Sequence, residues 1–411
     1  MGGDTLLDAY RRVDRLLEAR ARDYPRRTEP TWSELLAEVE ALAARLRAQA
    51  DVVPAGHDRD GPVAAALADT PIFVVGHRKT GTTLVLDLLD GHPQLVCLPG
   101  ESNHFLHFLP RVAALDPAAR AAQAQAWWLL RLVTPSGLPP FWAAGPFDAE
   151  PDPYAVFTRE LLRLAAELPQ RDLLGLAAVA LDAARSGTSG GSPARRAWVE
   201  KTPGHEHCLE RILRVYPRAR FVHVLRDPRS VAAAIARLDR AAGQETDLLD
   251  VALGIRRSFA AARRNRRILG ERRYHLLRYE DLVARPQEAM RRVAGFADIG
   301  WSPSLLVPTV GGVEATSNSA WPGRRVTGAI EARQLELWRQ ELDERAAALV
   351  SAVTARAARP FGYRLPAGGR MRALARVGAR RARYELGTRR RGLARAIGAA
   401  GGGTAARGFP G

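Results

Sequence analysis

Ile72, Phe73, Val74 and Val75 form a short apolar run with no polar alternation, closed by Gly76, and a helical apolar face of Leu84, Val85, Leu88 and Leu89 follows almost at once. A run of that kind predicts a strand buried on both faces of a parallel sheet, and parallel strands need crossover connections between them. Comparable runs at 95–98, 197–200, Arg220–Leu225 and 274–277 are separated by stretches with helical periodicity. Strands alternating with helices predict a doubly wound α/β sheet. Ahead of it, Leu6–Arg22 and 33–49 carry apolar residues at helical spacing, and 51–69 reads as a loop with a short helix. Residues 103–184 read as a long helical and aromatic region, ended by a Ser/Gly-rich stretch at 186–193. The expected organisation is a helical segment over 1–70, a main domain over 71–367 with a helical insertion at 103–193, and an Arg/Gly/Ala-rich tail over 368–411.

Charge use separates these parts. The net charge is +17, yet 368–411 holds eleven arginines against the single acid Glu385, so +10 of it belongs to the tail. That tail is expected to be a solvated basic extension able to touch anionic surfaces, lipid or nucleic acid. The milder excess on the remainder favours anionic ligands. Two cysteines, Cys97 and Cys208, cannot build a disulfide framework, and no stretch reads as a secretory leader or a membrane span. A reducing, cytoplasmic setting is the expectation.

Among all the basic residues only Lys79 and Lys201 are lysines. An ammonium is a compact point charge that follows a single oxygen as it charges, whereas guanidinium is a diffuse fork. Both lysines sit at strand ends. Lys79 lies in Gly76-His-Arg-Lys-Thr-Gly-Thr-Thr83, between a strand and a helix. There the unpaired N–H groups of Thr80 to Thr83, the helix dipole and the threonine hydroxyls converge on an anion. Gly76 and Gly81 have the spacing of a Walker A loop, but Thr82 stands where a nucleotide triphosphatase needs lysine. The cation has moved forward to Lys79, where it would meet a bridging oxygen as charge builds during bond cleavage. A second strand-turn-helix unit, Phe221 to Val231, has Asp227 as helix cap, Pro228 as first helical residue, and Arg226 and Ser230 placed to converge on another phosphate.

Gly76 to Thr83, Arg226 to Ser230 and Arg278-Tyr-Glu-Asp-Leu282 together resemble the sulfotransferases that use 3′-phosphoadenosine 5′-phosphosulfate, over about 71–365. The chain is most similar to the bacterial group related to tyrosylprotein sulfotransferases, with Lys79 replacing that group's arginine. The resemblance implies a P-loop NTPase-like α/β fold and transfer of a sulfuryl group to an acceptor hydroxyl without a metal. It also implies roles. Arg78, Lys79, Thr80, Gly81, Thr82 and Thr83 would hold the 5′-phosphosulfate, and Arg226 and Ser230 the 3′-phosphate, joined by Arg324 or Arg325 from a late loop. Lys79 and Lys201 would be the electrostatic catalysts. Glu101, in Leu98-Pro-Gly-Glu-Ser102, matches the family's catalytic glutamate and would take the acceptor proton.

His104, His107 and His205 are rival bases. The run His205-Glu-His-Cys208 invites a metal reading, but histidines two apart project to different sides of a helix. Tyr279 to Asp281 reads as a structural strand-end motif. The aromatics Trp127, Trp128, Phe141, Trp142, Phe147, Tyr154 and Phe157 suit core packing better than an acceptor pocket. The acceptor itself, whether glycan, lipid, peptide or secondary metabolite, is left open. A P-loop kinase and a nucleotide- or nucleic-acid-binding protein are the alternative readings.

Overall fold

Apolar β-strand runs need partners on both faces, and the chain supplies them in order. The computed structural model describes residues 5–22, 31–50, 61–134, 138–186, 195–317, 327–330 and 335–366. Helices α1 (Leu6–Arg22), α2 (Thr31–Ala48) and α3 (Gly61–Ala68) precede β1 (Pro71–Val75), α4 (Thr82–Asp90) and β2 (Leu95–Cys97). One turn of π-helix, His104–Phe108, leads into α5 (Leu109–Val112), α6 (Pro117–Val133), α7 (Pro153–Glu167) and α8 (Leu173–Ser186). Then come β3 (Ala197–Lys201), α9 (Leu209–Val215), β4 (Arg220–Leu225), α10 (Pro228–Ala241), α11 (Leu248–Leu269) and β5 (Tyr274–Arg278). Helices α12 (Tyr279–Ala284) and α13 (Pro286–Ala297), a small hairpin of β6 (Thr309–Val310) and β7 (Val313–Glu314), α14 (Trp338–Glu341) and α15 (Glu344–Ala358) follow.

The five main strands pair in parallel in the order β2-β3-β1-β4-β5. The expected α/β architecture, a parallel sheet flanked by helices, is therefore what the chain adopts. Alternation sorts the strand side chains. Phe73, Trp198, Phe221 and Tyr274 lie in one core with α1, α2, α6, α7 and α8, while Ile72, Val74, Val199 and Val222 lie in another with α4, α12 and α13. On the first face an aromatic row crosses four strands: Trp198 meets Phe73 at 5.8 Å, Phe73 meets Phe221 at 5.5 Å, and Phe221 meets Tyr274 at 5.6 Å between centroids. Such cross-strand pairs, with rings of this size fully buried, lock the register of the sheet.

The aromatic insertion is core. Trp128, Tyr154 and Phe157 are buried, and Trp142 and Phe147 pack around Tyr10 of α1. Tyr10 also donates to Asp152, the cap of α7, at 2.7 Å. Along the other sheet edge α10, α11 and α15 share a third core around Ile235, Phe259 and Val353. Among the described residues no helix is long and apolar enough to cross a membrane.

Gly76 is a tight point of the frame. Its φ is +145°, and a Cβ there would lie 2.6 Å from the Val224 carbonyl oxygen. Gly76→Ala is expected to lower stability by about 2 kcal/mol or more, since it combines a disfavoured backbone region with a backbone collision. Chemical denaturation of the purified variant checks this, and a loss near zero contradicts it.

Candidate active site

The turn after β1 curls because three of its residues have positive φ: Gly76 at +145°, Lys79 at +69° and Gly81 at +103°. Lysine in the left-handed region is uncommon, and such strain persists only where the surroundings enforce it. The enforcement is visible. The Lys79 carbonyl accepts from Arg226 Nη1 at 3.2 Å, and the Gly76 carbonyl accepts from Gly204 N at 3.2 Å. Thr80 closes the turn by donating its hydroxyl to the His77 carbonyl at 2.8 Å. A Cβ on Gly81 would run into the ring of Tyr279, so only glycine allows α12 to pack this close. From Thr82 onward α4 begins, and the first N–H groups of a helix have no partner within it.

Four other strand ends meet this turn. Lys201 ends β3 and pairs in register with Val74 of β1. Its side chain is 3% exposed, and its ammonium donates to Glu101 Oε1 at 3.0 Å. Glu101 follows β2 with a side chain 47% exposed. The Lys201 ammonium holds the Glu101 carboxyl below its usual range against the opposing effect of burial, and Lys79 pulls in the same direction. Lys79, Glu101 and Lys201 thus share one electrostatic neighbourhood. Arg226, at the end of β4, is 5% exposed and stacks over the Tyr279 ring, with Cζ 4.2 Å from its centroid. Tyr279 in turn follows β5 directly.

Other sequence-derived candidates lie less centrally. Arg78 is 55% exposed and its guanidinium is 4.0 Å from Asp239 of α10. Thr82 is buried and Thr83 half-buried on the first turn of α4. Ser230 donates to the Leu335 carbonyl at 3.3 Å. Arg324, Arg325 and the basic tail lie outside the described residues. Of the rival bases, His104 is buried and paired with Asp172 at 2.8 Å, and His205 is buried and paired with Glu200 at 3.0 Å. His107 is exposed on the π-turn. The run 205–208 does not gather into a metal site: His205 turns to Glu200, Glu206 accepts from Ser258 at 2.6 Å, and His207 is exposed. Among the described residues no group of three or more His, Cys, Asp or Glu side chains is arranged to hold a metal ion.

Sequence reasoning missed a buried brace beneath the site. Glu200 is 0% exposed; its Oε1 accepts from the hydroxyls of Ser102 and Thr202, both at 2.5 Å, and its Oε2 faces His205 Nδ1. Burial, the largest influence, opposes ionisation, but His205 and the two hydroxyls override it and hold the carboxyl below its usual range. The signal was there: a carboxylate next to Lys201 in a strand buried on both faces needs partners. Glu280 is a second brace, accepting from Asp227 N at 2.8 Å and from the Tyr363 hydroxyl at 2.7 Å. Asp87 of α4 was also missed. Burial pushes its carboxyl well above the usual range, while Lys201 draws it back.

A left-handed turn opening onto a helix N-terminus, two lysines and a carboxylate gathered at the C-terminal ends of parallel strands suit group transfer from a charged donor. The model of the sulfotransferase family matches residues 71–303, more than half of the chain. The chain belongs to the sulfotransferase family.

Individual relatives are more distant. The chain is 26% identical over 268 residues to the omega-hydroxy-beta-dihydromenaquinone-9 sulfotransferase Stf3 of Mycobacterium bovis, covering 57% of this chain and 64% of that protein. It is 26% identical over 301 residues to nodulation protein NoeE of Sinorhizobium fredii, covering 66% of this chain and 60% of that protein. In both cases the similarity spans less than two thirds of the relative's own length. The solved sulfotransferase domain from the curacin biosynthetic pathway is 19% identical, with a TM-score of 0.42, and the match covers 72% of this chain and 98% of that domain.

The pairing of Glu101 with Lys201 has a measurable consequence. A carboxyl whose ionised form is favoured loses its proton at lower pH, so Glu101, followed by carbon-13 NMR against a Glu101→Gln control, is expected to titrate below 4.5. Lys201→Met removes the dominant favourable charge and is expected to move that midpoint upward. A midpoint indifferent to Lys201 contradicts the pair.

Proposed function

We propose that this chain transfers a sulfuryl group from 3′-phosphoadenosine 5′-phosphosulfate to the hydroxyl of an acceptor. The observation that carries the reading is the gathering of Lys79, Glu101 and Lys201 beside the left-handed turn, in a chain of this family. The donor supplies an activated sulfuryl group on a phosphate leaving group. Within this reading the N–H groups of Gly81 to Thr83 bind the 5′-phosphosulfate, together with Arg78 and Lys79, whereas the Thr80 N–H, expected to be unpaired, donates to the His77 carbonyl at 3.2 Å and closes the turn. Arg226, Ser230 and Arg324 bind the 3′-phosphate. The two glycines let the turn pass close to the Val224 carbonyl and the Tyr279 ring, where a Cβ has no space.

The proposed step balances simply. The acceptor oxygen forms its bond to sulfur as the bond from sulfur to the 5′-phosphate oxygen breaks, and the acceptor proton passes to Glu101. Lys79 steadies the charge growing on the leaving oxygen and Lys201 that on the sulfuryl oxygens. Lys201 donates to Glu101 in this structure, which keeps the base ionised. Adenosine 3′,5′-bisphosphate leaves.

What supports Glu101 over the rivals His104 and His205 is access. His104 and His205 are buried in pairs of their own, whereas nearly half of the Glu101 side chain is exposed. The acceptor belongs to the hydroxyl-bearing compounds, and the menaquinone derivative named for one relative is an instance of that class. A cytoplasmic setting goes with this reading and is supported by two buried cysteines that form no disulfide.

Calorimetric titration tests the donor. Adenosine 3′,5′-bisphosphate is expected to bind, with or without magnesium, more tightly than ATP; the reverse preference sinks the reading. Lys79→Ala is expected to lower turnover about 10²-fold, or ~3 kcal/mol, the usual loss on removing one preorganised donor from a developing charge. Turnover is read as labelled sulfate moved from the donor, and an unaltered rate removes Lys79 from its assigned role.

A further inference from the structure

We propose that Arg131 is a positioning residue that fixes where the Glu101 carboxylate can reach, a role that rests on the reading of Glu101 as the base. The loop carrying Glu101 is bracketed by two left-handed residues, Gly100 at φ +73° and Asn103 at φ +50°. A backbone of that shape does not hold itself; it needs donors for its carbonyls and acceptors for its N–H groups. On one side the β3 end provides them: Ser102 Oγ donates to Glu200, and Asn103 N donates to Thr202 Oγ1 at 3.0 Å. These bonds act on residues 102 and 103.

Glu101 itself is held from α6. Arg131 Nε donates to the Glu101 carbonyl at 2.6 Å, and Trp127, one helical turn earlier, donates Nε1 to the Ser102 carbonyl at 2.8 Å. Two consecutive carbonyls are thereby gripped by two side chains on one face of one helix. Arg131 is itself fixed. Its Nη1 donates to the Trp127 carbonyl at 2.6 Å, and its Cζ lies 4.0 Å from the Trp127 ring centroid. On the other side Trp127 meets Phe108 at 5.4 Å between centroids. A planar fork that bonds along its edges while stacking on an indole suits this place, and a flexible ammonium would lose most of those contacts. Burial draws the guanidinium down to about 10, opposed by Glu101 and Glu200, so it remains charged at neutral pH.

The consequence concerns distance more than fold. Glu101 must keep its contact to Lys201 and also meet an acceptor hydroxyl, and small errors in the placement of a reacting group cost rate steeply. If Arg131 acts through Glu101, the two form one unit, and loss of both is no worse than loss of Glu101 alone.

The test uses the full chain with 35S-labelled donor and water as acceptor, read as release of labelled sulfate. Arg131→Gln is expected to lower the rate about tenfold or more while leaving the affinity for adenosine 3′,5′-bisphosphate unchanged. Glu101→Gln combined with Arg131→Gln is expected to match Glu101→Gln alone. A double variant that falls by the full further factor overturns the proposal, as does a parallel loss of bisphosphate affinity. Arg131→Lys, which retains the charge but not the fork, carries the same cycle should the glutamine variant not fold. A wild-type chain that binds no bisphosphate speaks against the sulfuryl-transfer reading instead. The placement of Glu101 is then read directly by carbon-13 NMR. The charged groups facing its carboxyl are Lys201, Lys79, Glu200 and Arg131, and Arg131→Lys is expected to move its midpoint up toward 4.5 as the contact to Lys201 loosens. A midpoint that stays in place overturns the role of Arg131.

Discussion

An ammonium group taken out of water must be answered by a carboxylate close at hand, and the arrangement around Lys201 follows from that requirement. At 3% exposure it cannot rely on solvent, and the bond to Glu101 at 3.0 Å supplies the countercharge. The partner is half in solvent, so the pair stands at the rim of the site with its cation inside and its anion facing outward. That polarity is chemically useful. In the proposed transfer the exposed carboxylate, which the buried ammonium holds ionised, is the member open to an acceptor hydroxyl.

Holding such a pair requires rigid backbone on both sides. The sheet provides one side, through the aromatic row beneath β3, β1, β4 and β5 and through Glu200, whose oxygens accept from Ser102 and Thr202 and face His205. The helical insertion provides the other through Trp127 and Arg131. Removing one partner of a buried hydrogen-bonded carboxylate is costly because the remaining groups are left without compensation. The insertion is thus more than a cover for one sheet face, since α6 reaches the loop that carries the carboxylate.

The turn after β1 depends on neighbours in the same way. Lys79 occupies a conformation that few non-glycine residues take; Arg226 bonds its carbonyl, while Gly204 bonds Gly76 and Tyr279 lies against Gly81 on either side of it in the turn. Arg226 both donates to the Lys79 carbonyl and stacks on Tyr279, so it ties the turn after β1 to the end of β4 and the start of α12. Glu280 extends these ties by joining Asp227 to Tyr363 near the C-terminal end of the described chain.

Local pattern alone determined the strands, the glycine turn and the helix that follows it, because runs of apolar residues and glycines with nothing to replace them are read from neighbouring positions. It also singled out Lys79, Lys201 and Arg226, since each ends or follows a strand, whereas Glu101 was singled out by the family resemblance. Only the tertiary structure decided the strand order, the contact between Glu101 and Lys201, and the grip of Arg131 on the loop. Those interactions join residues far apart in the chain, 100 positions in the case of Glu101 and Lys201. Glu200 and Arg131 carry no local pattern that distinguishes them from other charged residues. Their partners are backbone and hydroxyl groups brought together by packing, and packing across a sheet has no period along the sequence.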